Sequence, residues 1–204
     1  MSGYPLKSRV EEFLRVIRQS DVTRRRVESE FRKGTLVRRD VEIVYEGLFL
    51  RAVVAFEDFL ESVFFLTLTG KSSRLAWRSI LGGRATDLCA CVMGDKKYLD
   101  WLPYDRTLSR ANLYLRSGRP FTLLKDDDKG KLTQIVTIRH AIAHSSDSAY
   151  AKFKKDVIGS THLPPDERRP AGYLRGFASL GTTRYQLYAQ SLGGMALRFS
   201  DGTS

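Results

Sequence analysis

The chain contains 204 residues, of which 42% are hydrophobic. This composition suits one folded domain with a sizeable core and excludes an intrinsically disordered chain. Lysines and arginines number 34 and acids 23, so the formal charge is +11, and the pI is near 9.8. Such an excess favours a polyanionic partner, either nucleic acid or an anionic membrane surface, although an ordinary basic protein without such a partner also fits it.

The cysteines and the most apolar stretch bear on the cellular compartment. Cys89 and Cys91 stand too close together to bridge easily and belong to no framework of spaced cysteines. We therefore expect reduced, buried, small apolar residues in a cytoplasmic protein rather than a disulfide or a zinc site. Residues 1–7 lack the apolar core of a signal peptide. The stretch from Val41 to Leu68 contains six charged residues, which predicts a buried core helix and no membrane contact.

A basic helix is predicted at the start of the chain, from Leu6 to Lys33, where apolar residues recur at helical spacing and Gly34 follows. Five arginines are expected on its outer face, and they predict either a solvated surface or a contact with RNA. These residues are Arg15, Arg18, Arg24, Arg25 and Arg26.

The second predicted helix begins near Asp40, a suitable N-cap, and ends at Gly70. It is apolar around much of its girth, so it should lie at the centre of the fold. Glu57 is its unusual residue, because it lies close to the buried stripe, where a carboxylate needs a cation or hydrogen-bond donors.

Shorter helices are predicted in the rest of the chain. Asp126–Asp128 open one that ends near His144, where two serines break it, and Asp147 or Ser148 caps the next. Residues 159–172 hold three of the six prolines and predict a surface connection. The other predicted helices cover 75–80, 86–93, 105–116 and a C-terminal stretch that starts at Thr182 or Thr183 and is weakened by Gly193 and Gly194. With no internal repeat and no convincing β-hairpin, the predicted class is all-α.

The end of the helix opened by Asp126–Asp128 carries the most informative combination of side chains. Arg139, His140 and His144 bring together a permanent cation and two of the chain's three histidines. Arginine binds phosphate oxygens as a planar fork, and histidine transfers protons near neutral pH. On a helix His140 and His144 share a face, whereas Arg139 and His144 lie about 140° apart around the axis and about 7.5 Å apart along it. A splayed pair of this kind favours a site completed across a two-fold interface, although a long arginine or a frayed helix end also allows both side chains to reach one phosphate.

Three interpretations of this segment remain open. A His-x3-His pair on a helix has a spacing suitable for zinc, but Ala141 stands where a metalloprotease would have glutamate, and His162 is the only further histidine. Alternatively, the imidazoles cap carbonyls at the helix end while Arg139 pairs with a buried acid such as Glu57. In the third interpretation the segment is a phosphodiesterase site, in which the arginine holds the phosphate and a histidine acts as acid or base.

The segment from Arg139 to His144 resembles the signature of HEPN ribonucleases, in which an arginine is followed four to six residues later by a histidine near the end of a late helix. The polar residue that usually follows the arginine in that family is His140 here. Residues 49–61 look like the core helix of the RiboL-PSP branch of HEPN proteins, and residues 118–122 and 182–188 are similar to other pieces of that branch. The resemblance covers most of the chain from about Val41 onward.

The resemblance implies one HEPN-like helical-bundle domain over residues 1–204, with a long central helix and additional helices. Its parts would be a basic N-terminal helix at 1–38, a connector at 159–181 and a C-terminal helix at 182–200. The implied function is a metal-independent endoribonuclease without a cofactor, commonly a toxin or phage-defence effector. RNA would be cleaved at a composite site in a homodimer, and an antitoxin or another regulatory protein is a further expected partner.

The same resemblance assigns roles to individual side chains. Arg139 would bind and polarise the phosphate, His144 would transfer the proton, and His140 would orient the site. Glu57 would pair with Arg139, an inference from its position beside the buried stripe. Because the RNA 2′-hydroxyl is already tethered beside the phosphate, catalysis needs mainly positioning, charge neutralisation and a proton shuttle. The expected ends are a 2′,3′-cyclic phosphate and a 5′-hydroxyl.

Two other functions remain open. The chain is alternatively a non-catalytic helical module that binds nucleic acid or a partner protein through its basic first helix, with salt-sensitive binding and no turnover. A nucleotide-binding or nucleotide-transfer role is also compatible with the family, but the sequence shows no Gly-rich phosphate loop.

Overall fold

The computed structural model describes residues 5–71, 79–144 and 146–201. Within these ranges the chain forms eight α-helices and one two-stranded sheet, so the predicted all-α class is confirmed. The helices are α1 (Pro5–Arg32), α2 (Arg38–Leu68), α3 (Ala85–Met93), α4 (Tyr104–Tyr114), α5 (Asp126–Ala143), α6 (Asp147–Phe153), α7 (Pro170–Arg175) and α8 (Arg184–Asp201). The antiparallel strands are β1 (Phe177–Ser179) and β2 (Thr182–Thr183). Short 3-10 turns cover Arg116–Gly118, Phe121–Leu123 and Pro165–Arg168, and a π-helical turn, Lys154–Ile158, follows α6.

The long helix α2 is the centre of the fold, as its apolar girth predicted. Its large side chains Tyr45, Phe56 and Phe64 are completely buried. It packs against α1 over much of its length and also contacts α5, α7 and α8. The expectation of a core helix at Val41 to Leu68 is therefore confirmed. None of the helices in the described ranges is long and apolar enough to cross a membrane.

The start of α2 differs from the prediction that Asp40 is the N-cap. Val37 occupies that position in an extended conformation, with φ −91° and ψ 164°. Asp40 lies inside the first turn, and its carboxylate accepts a hydrogen bond of 2.9 Å from the backbone N–H of Val37. The aspartate therefore still stabilises the helix start, but it does so from the third helical position.

The paired glycines of α8 do not interrupt the helix, and they allow close packing against a neighbouring helix. α8 is continuous from Arg184 to Asp201. Gly193 is buried, and a methyl group at its Cα would lie 3.3 Å from Cδ2 of Leu14 on α1. Because the missing side chain lets the two helices approach, the conformational cost of glycine is offset by contact between α1 and α8.

The segment before α8 contains structure that the sequence did not predict. Strands β1 and β2 form a hairpin, contrary to the expectation of none, and Gly181 takes a φ of +76° at its turn. The strands have three and two residues, too few to produce a readable alternation of apolar and polar residues. The proposed connector also includes α7, whose residues 171–174 are buried, so this part of the connector is not a surface loop.

Two expectations concern the region around α3. The predicted helix at 75–80 falls mostly on residues outside the described ranges, and its described end is not helical, because Ser79 forms an isolated β-bridge with Leu115. Cys89 and Cys91 are free thiols, as expected. However, Cys89 is only half-buried and Cys91 is exposed, because α3 turns Leu88 and Val92 towards the core and leaves the intervening residues outside.

Candidate active site

Helix α5 is fixed at its beginning by Asp128. This carboxylate accepts a hydrogen bond of 3.1 Å from the backbone N–H of Lys125 and forms an ion pair with Arg198 of α8. Further along, Leu132, Ile135 and Ile138 are completely buried. The acidic start and the apolar middle of α5 therefore place its last turn at a defined position on the surface.

The last turn of α5 brings the two predicted histidines together. The helix ends at Ala143, and His144 is extended, with φ −125° and ψ 108°, while its backbone N–H still donates to the carbonyl of His140 at 2.9 Å. The two imidazoles stack with ring centroids 5.5 Å apart and planes inclined by 25°. Both rings are exposed, and neither donates or accepts a side-chain hydrogen bond with any described residue. Their ring nitrogens are therefore available to a substrate.

The next helix, α6, begins differently from the prediction. The hydroxyl of Ser146, and not Asp147 or Ser148, caps α6 by accepting a hydrogen bond of 3.3 Å from the N–H of Ala149.

Arg139 lies one residue before His140, near the end of α5. It is half-buried, and its guanidinium makes no hydrogen bond or ion pair with the residues that the structure describes. Glu57 on α2 interacts with it electrostatically but forms no ion pair with it within 4.0 Å. The pairing expected for Glu57 thus takes the form of a charge interaction across two helices. A half-buried guanidinium whose donors no described residue occupies is well suited to bind a phosphate.

Two pKa shifts describe the electrostatics of the site. Burial raises the pKa of Glu57, and the neighbouring charges of Asp58 and Asp100 act in the same direction, while Arg139 opposes them. Partial desolvation lowers the pKa of His140, and the positive charge of Arg139 and the proximity of His144 lower it further. At neutral pH His140 is therefore mostly the neutral imidazole, which can accept a proton.

We expect Glu57→Gln to stabilise the fold at neutral pH. The glutamine removes a half-buried charge that no hydrogen bond from the described residues compensates. Since the pKa of Glu57 is raised above 4.5 in the folded state, the wild-type carboxylate costs stability only as the pH rises through that raised value. The difference in thermal melting temperature should therefore be present at pH 7 and disappear near pH 4. A variant less stable than wild type at pH 7 would mean that Glu57 is held by favourable contacts.

The metal interpretation finds no third ligand among the described residues. Within residues 5–71, 79–144 and 146–201, no group of three or more histidine, cysteine, aspartate or glutamate side chains is arranged to hold a metal ion. The remaining histidine, His162, is exposed beyond the π-helical turn. The stacked pair could supply at most two nitrogens to an ion, fewer than the three protein ligands typical of catalytic zinc.

The arginines of α1 divide into two groups. Arg15, Arg18, Arg25 and Arg26 are exposed and fall within an arc of about 100° around the helix axis. Arg24 is only 9% exposed, and its Nε donates to Asp21 at 2.9 Å, so its predicted position on the outer face is wrong. Although burial alone would lower the pKa of Arg24, hydrogen bonds with Tyr45 and Asp21 raise it, and the side chain is part of the structural core.

The structure also groups residues that the sequence interpretation did not single out. Glu28, Tyr45 and Arg175 join α1, α2 and α7 in a polar network that lines a cavity of about 540 Å³. Lys96, Tyr98 and their neighbours line a basic groove beside Trp101. The succession Lys96-Lys97-Tyr98 is visible in the sequence as two cations followed by an aromatic residue. Its position near Glu57 depends on tertiary contacts that spacing does not reveal.

Comparisons with known proteins add no relative. A scan against protein-family models found no match, and searches among curated proteins and among solved structures found no significant match either.

Proposed function

We propose that this protein is a metal-independent endoribonuclease whose site is formed by Arg139, His140 and His144. The observation that carries the proposal is the half-buried guanidinium of Arg139, which has no hydrogen-bond or ion-pair partner among the described residues. It lies near the end of α5, where two exposed imidazoles stack, and its charge acts on His140. The excess of 11 positive charges supports a polyanionic substrate.

The proposed reaction uses the 2′-hydroxyl of the substrate as the nucleophile. Arg139 binds the non-bridging oxygens of the scissile phosphate and neutralises the charge that develops there. A neutral imidazole accepts the proton of the 2′-hydroxyl as the 2′-oxygen bonds to phosphorus, and the bond to the 5′-oxygen breaks while that oxygen takes up a proton from water. His144, in the extended position after the helix end, is assigned the proton transfer, and His140 supports it from the stacked position. The ends would be a 2′,3′-cyclic phosphate and a 5′-hydroxyl.

A homodimer with a composite site belongs to the same proposal. Ile43, Gly47, Val54 and Glu57 fall within an arc of about 80° on α2. Ile43 is 52% exposed and Val54 50% exposed, so this stripe offers an apolar surface that leads to Glu57 and, across it, to Arg139. Sedimentation of the purified protein tests the idea. A monomer at the concentrations at which cleavage is measured would contradict a composite site.

The central experiment is cleavage of a structured RNA by the purified full-length chain in excess chelator. We expect cleavage to persist, and the products to carry a cyclic phosphate that protects the 3′ end from ligation. A substrate with a single 2′-deoxynucleotide at the cleaved position should resist, because it lacks the nucleophile. Cleavage that stops with chelator, or that continues at the deoxy position, would overturn the proposed mechanism.

The physiological role that we propose, on the resemblance alone, is a toxin or phage-defence effector restrained by an antitoxin or another regulatory protein. Expression of the wild type should then arrest host growth, and Arg139→Ala should relieve the arrest without loss of the folded protein. Arrest that persists in both Arg139→Ala and His144→Ala would leave RNA cleavage without a role in toxicity.

A second candidate function is nucleic-acid binding without turnover, and the exposed stripe of Arg15, Arg18, Arg25 and Arg26 on α1 favours it. In this case the protein would bind RNA in a salt-dependent manner and show no cleavage. Replacing the four arginines by alanine should then remove most of the binding, whereas Arg139→Ala should leave binding unchanged. Unchanged affinity in the fourfold variant would exclude this surface as the binding site.

A further inference from the structure

A basic groove lies between the residues that precede α4 and the first turns of that helix. Its volume is about 790 Å³. It is lined by four cationic side chains, two carboxylates, one tyrosine and one serine. The residues that matter here are Lys96, Lys97, Tyr98, Asp100, Arg106 and Arg110. The excess of cations makes the groove attractive to a polyanion.

Tyr98 is an exposed ring on an anchored segment. It is 77% exposed and has no ring contact or hydrogen bond with the described part of the chain. The next residue, Leu99, is 8% exposed, and Trp101 is 2% exposed. The carbonyl of Trp101 also accepts a hydrogen bond of 2.5 Å from the hydroxyl of Thr107. Since buried residues hold the chain directly after it, Tyr98 presents an aromatic face to solvent from a defined position.

The two arginines and the two lysines of the groove differ in their contacts. Arg106 forms an ion pair with Asp100, and Arg110 stacks on Trp101 at 4.5 Å and donates to the carbonyl of Asp100 at 3.1 Å. These two arginines are therefore used to hold the wall of the groove. Lys96 and Lys97 are exposed and have no ion-pair partner in the described ranges, so their charges are free to meet an incoming anion.

The groove and the proposed active site both interact with acidic residues of α2. Nε1 of Trp101 donates to the carboxylate of Glu61 at 2.8 Å. Glu61 lies one helical turn, or about 6 Å, after Glu57. Glu57 in turn feels the charges of both Asp100 in the groove and Arg139 in the site. Asp100 of the groove and Arg139 of the site therefore act on the same carboxylate of α2.

We propose that this groove holds the single-stranded RNA that flanks the scissile phosphate, with a base stacked on Tyr98 and backbone phosphates bound by Lys96 and Lys97. The inference rests on the ribonuclease function proposed above and adds to it a substrate subsite. An exposed aromatic ring between cations is the arrangement by which proteins bind unpaired bases, because every base has a face to stack and every nucleotide carries a charge. Paired bases are already stacked in the duplex, so the subsite selects unpaired RNA.

The test measures binding and not cleavage, in the full-length His144→Ala background, with a fluorescently labelled single-stranded RNA oligonucleotide and the same sequence as a duplex. Tyr98→Ala should weaken binding of the single strand about tenfold and leave duplex binding unchanged, whereas Tyr98→Phe should keep the affinity, because phenylalanine retains the stacking face. Phe177→Ala, which removes a ring that is 65% exposed on β1, is the matched control and should not change the affinity.

The salt dependence separates the two kinds of contact. Lys96→Ala/Lys97→Ala should reduce the slope of log affinity against log salt by about 1.4, since each phosphate contact with single-stranded nucleic acid contributes about 0.7. Tyr98→Ala should leave the slope unchanged.

Single-strand affinity of Tyr98→Ala within twofold of the parent would overturn the inference, and so would equal losses on single strand and duplex or a loss in Tyr98→Phe. These results do not depend on turnover. A failed cleavage assay with the expected binding pattern refutes the ribonuclease alone, and intact cleavage without the pattern refutes the subsite alone.

Discussion

Arg139→Ala and His144→Ala should each lower the rate of RNA cleavage by at least about 100-fold. Removing a preorganised charge from a developing oxyanion, or a positioned acid or base from a proton transfer, typically has an effect of this size or greater. Arg139→Lys should recover little activity, because an ammonium cannot reproduce the fork of two donors that a guanidinium offers to a phosphate. Initial rates on one labelled RNA under single-turnover conditions measure the effect.

Two control variants test this prediction. His162→Ala removes an exposed histidine outside the site and should cleave at the wild-type rate. The double variant Arg139→Ala/His144→Ala should be little worse than either single variant, because residues that act in one step do not contribute additively. Wild-type rates in a folded His144→Ala protein would remove that residue from the mechanism and move the assignment of proton transfer to His140.

The parts of the site that could be predicted from the sequence depend on helix geometry. Residues four apart on a helix share a face, and His140 and His144 do stack in the structure, even though the second lies just past the helix end. The electrostatic interaction of Glu57 with Arg139 follows from a charged residue close to an otherwise apolar stripe, which requires a compensating charge nearby. Both inferences need only the period of the helix and the cost of burying a charge.

Other features depend on which elements meet, and spacing alone does not determine this. The segment after Tyr98 is tied to α2 by a hydrogen bond from Trp101 to Glu61, which lies 40 residues earlier. The buried position of Arg24, by contrast, can be predicted from helix geometry. Three consecutive arginines span about 200° around a helix, so the run cannot point outward as a whole, and Arg24 lies opposite Arg15. The net positive charge of the chain favours a surface role for every arginine of the run, but the helix allows only part of the run to face the solvent.

A polar network close to the buried Arg24 joins three helices. Arg175 of α7 binds the carboxylate of Glu28 on α1 through two hydrogen bonds, of 2.9 and 3.1 Å, and stacks on Phe31 at 4.2 Å. The hydroxyl of Tyr45 on α2 donates to the same carboxylate at 3.0 Å, and burial raises the pKa of this tyrosine to about 12, so it remains a donor. Glu28 thus compensates the charge of a mostly buried arginine and connects α1, α2 and α7.

Glu28→Gln should destabilise the fold by about 2 kcal/mol at pH 7, because it leaves Arg175 without its charged partner in a largely buried position. Tyr45→Phe removes the hydroxyl that donates to Glu28 and interacts with Arg24, but it leaves the ion pair intact and should cost about 1 kcal/mol. Glu30→Gln breaks an exposed ion pair with Lys33, the residue after the end of α1, and should leave stability unchanged. Urea unfolding followed by circular dichroism measures all three variants.

The pH dependence of Glu28→Gln distinguishes a lost charge from a lost shape. Burial alone would raise the pKa of Glu28, but the bidentate bond with Arg175 and the hydroxyl of Tyr45 outweigh it, so the pKa lies below 4.5 in the folded state. A lowered carboxylate pKa gives stability that is complete above the unfolded value and disappears as the pH falls through the folded one. The wild-type advantage over Glu28→Gln should therefore be constant from pH 7 to about pH 5 and shrink below 4.5. An advantage that persists unchanged at pH 3 would show that glutamine disturbs the packing of α1, α2 and α7 rather than their charge balance.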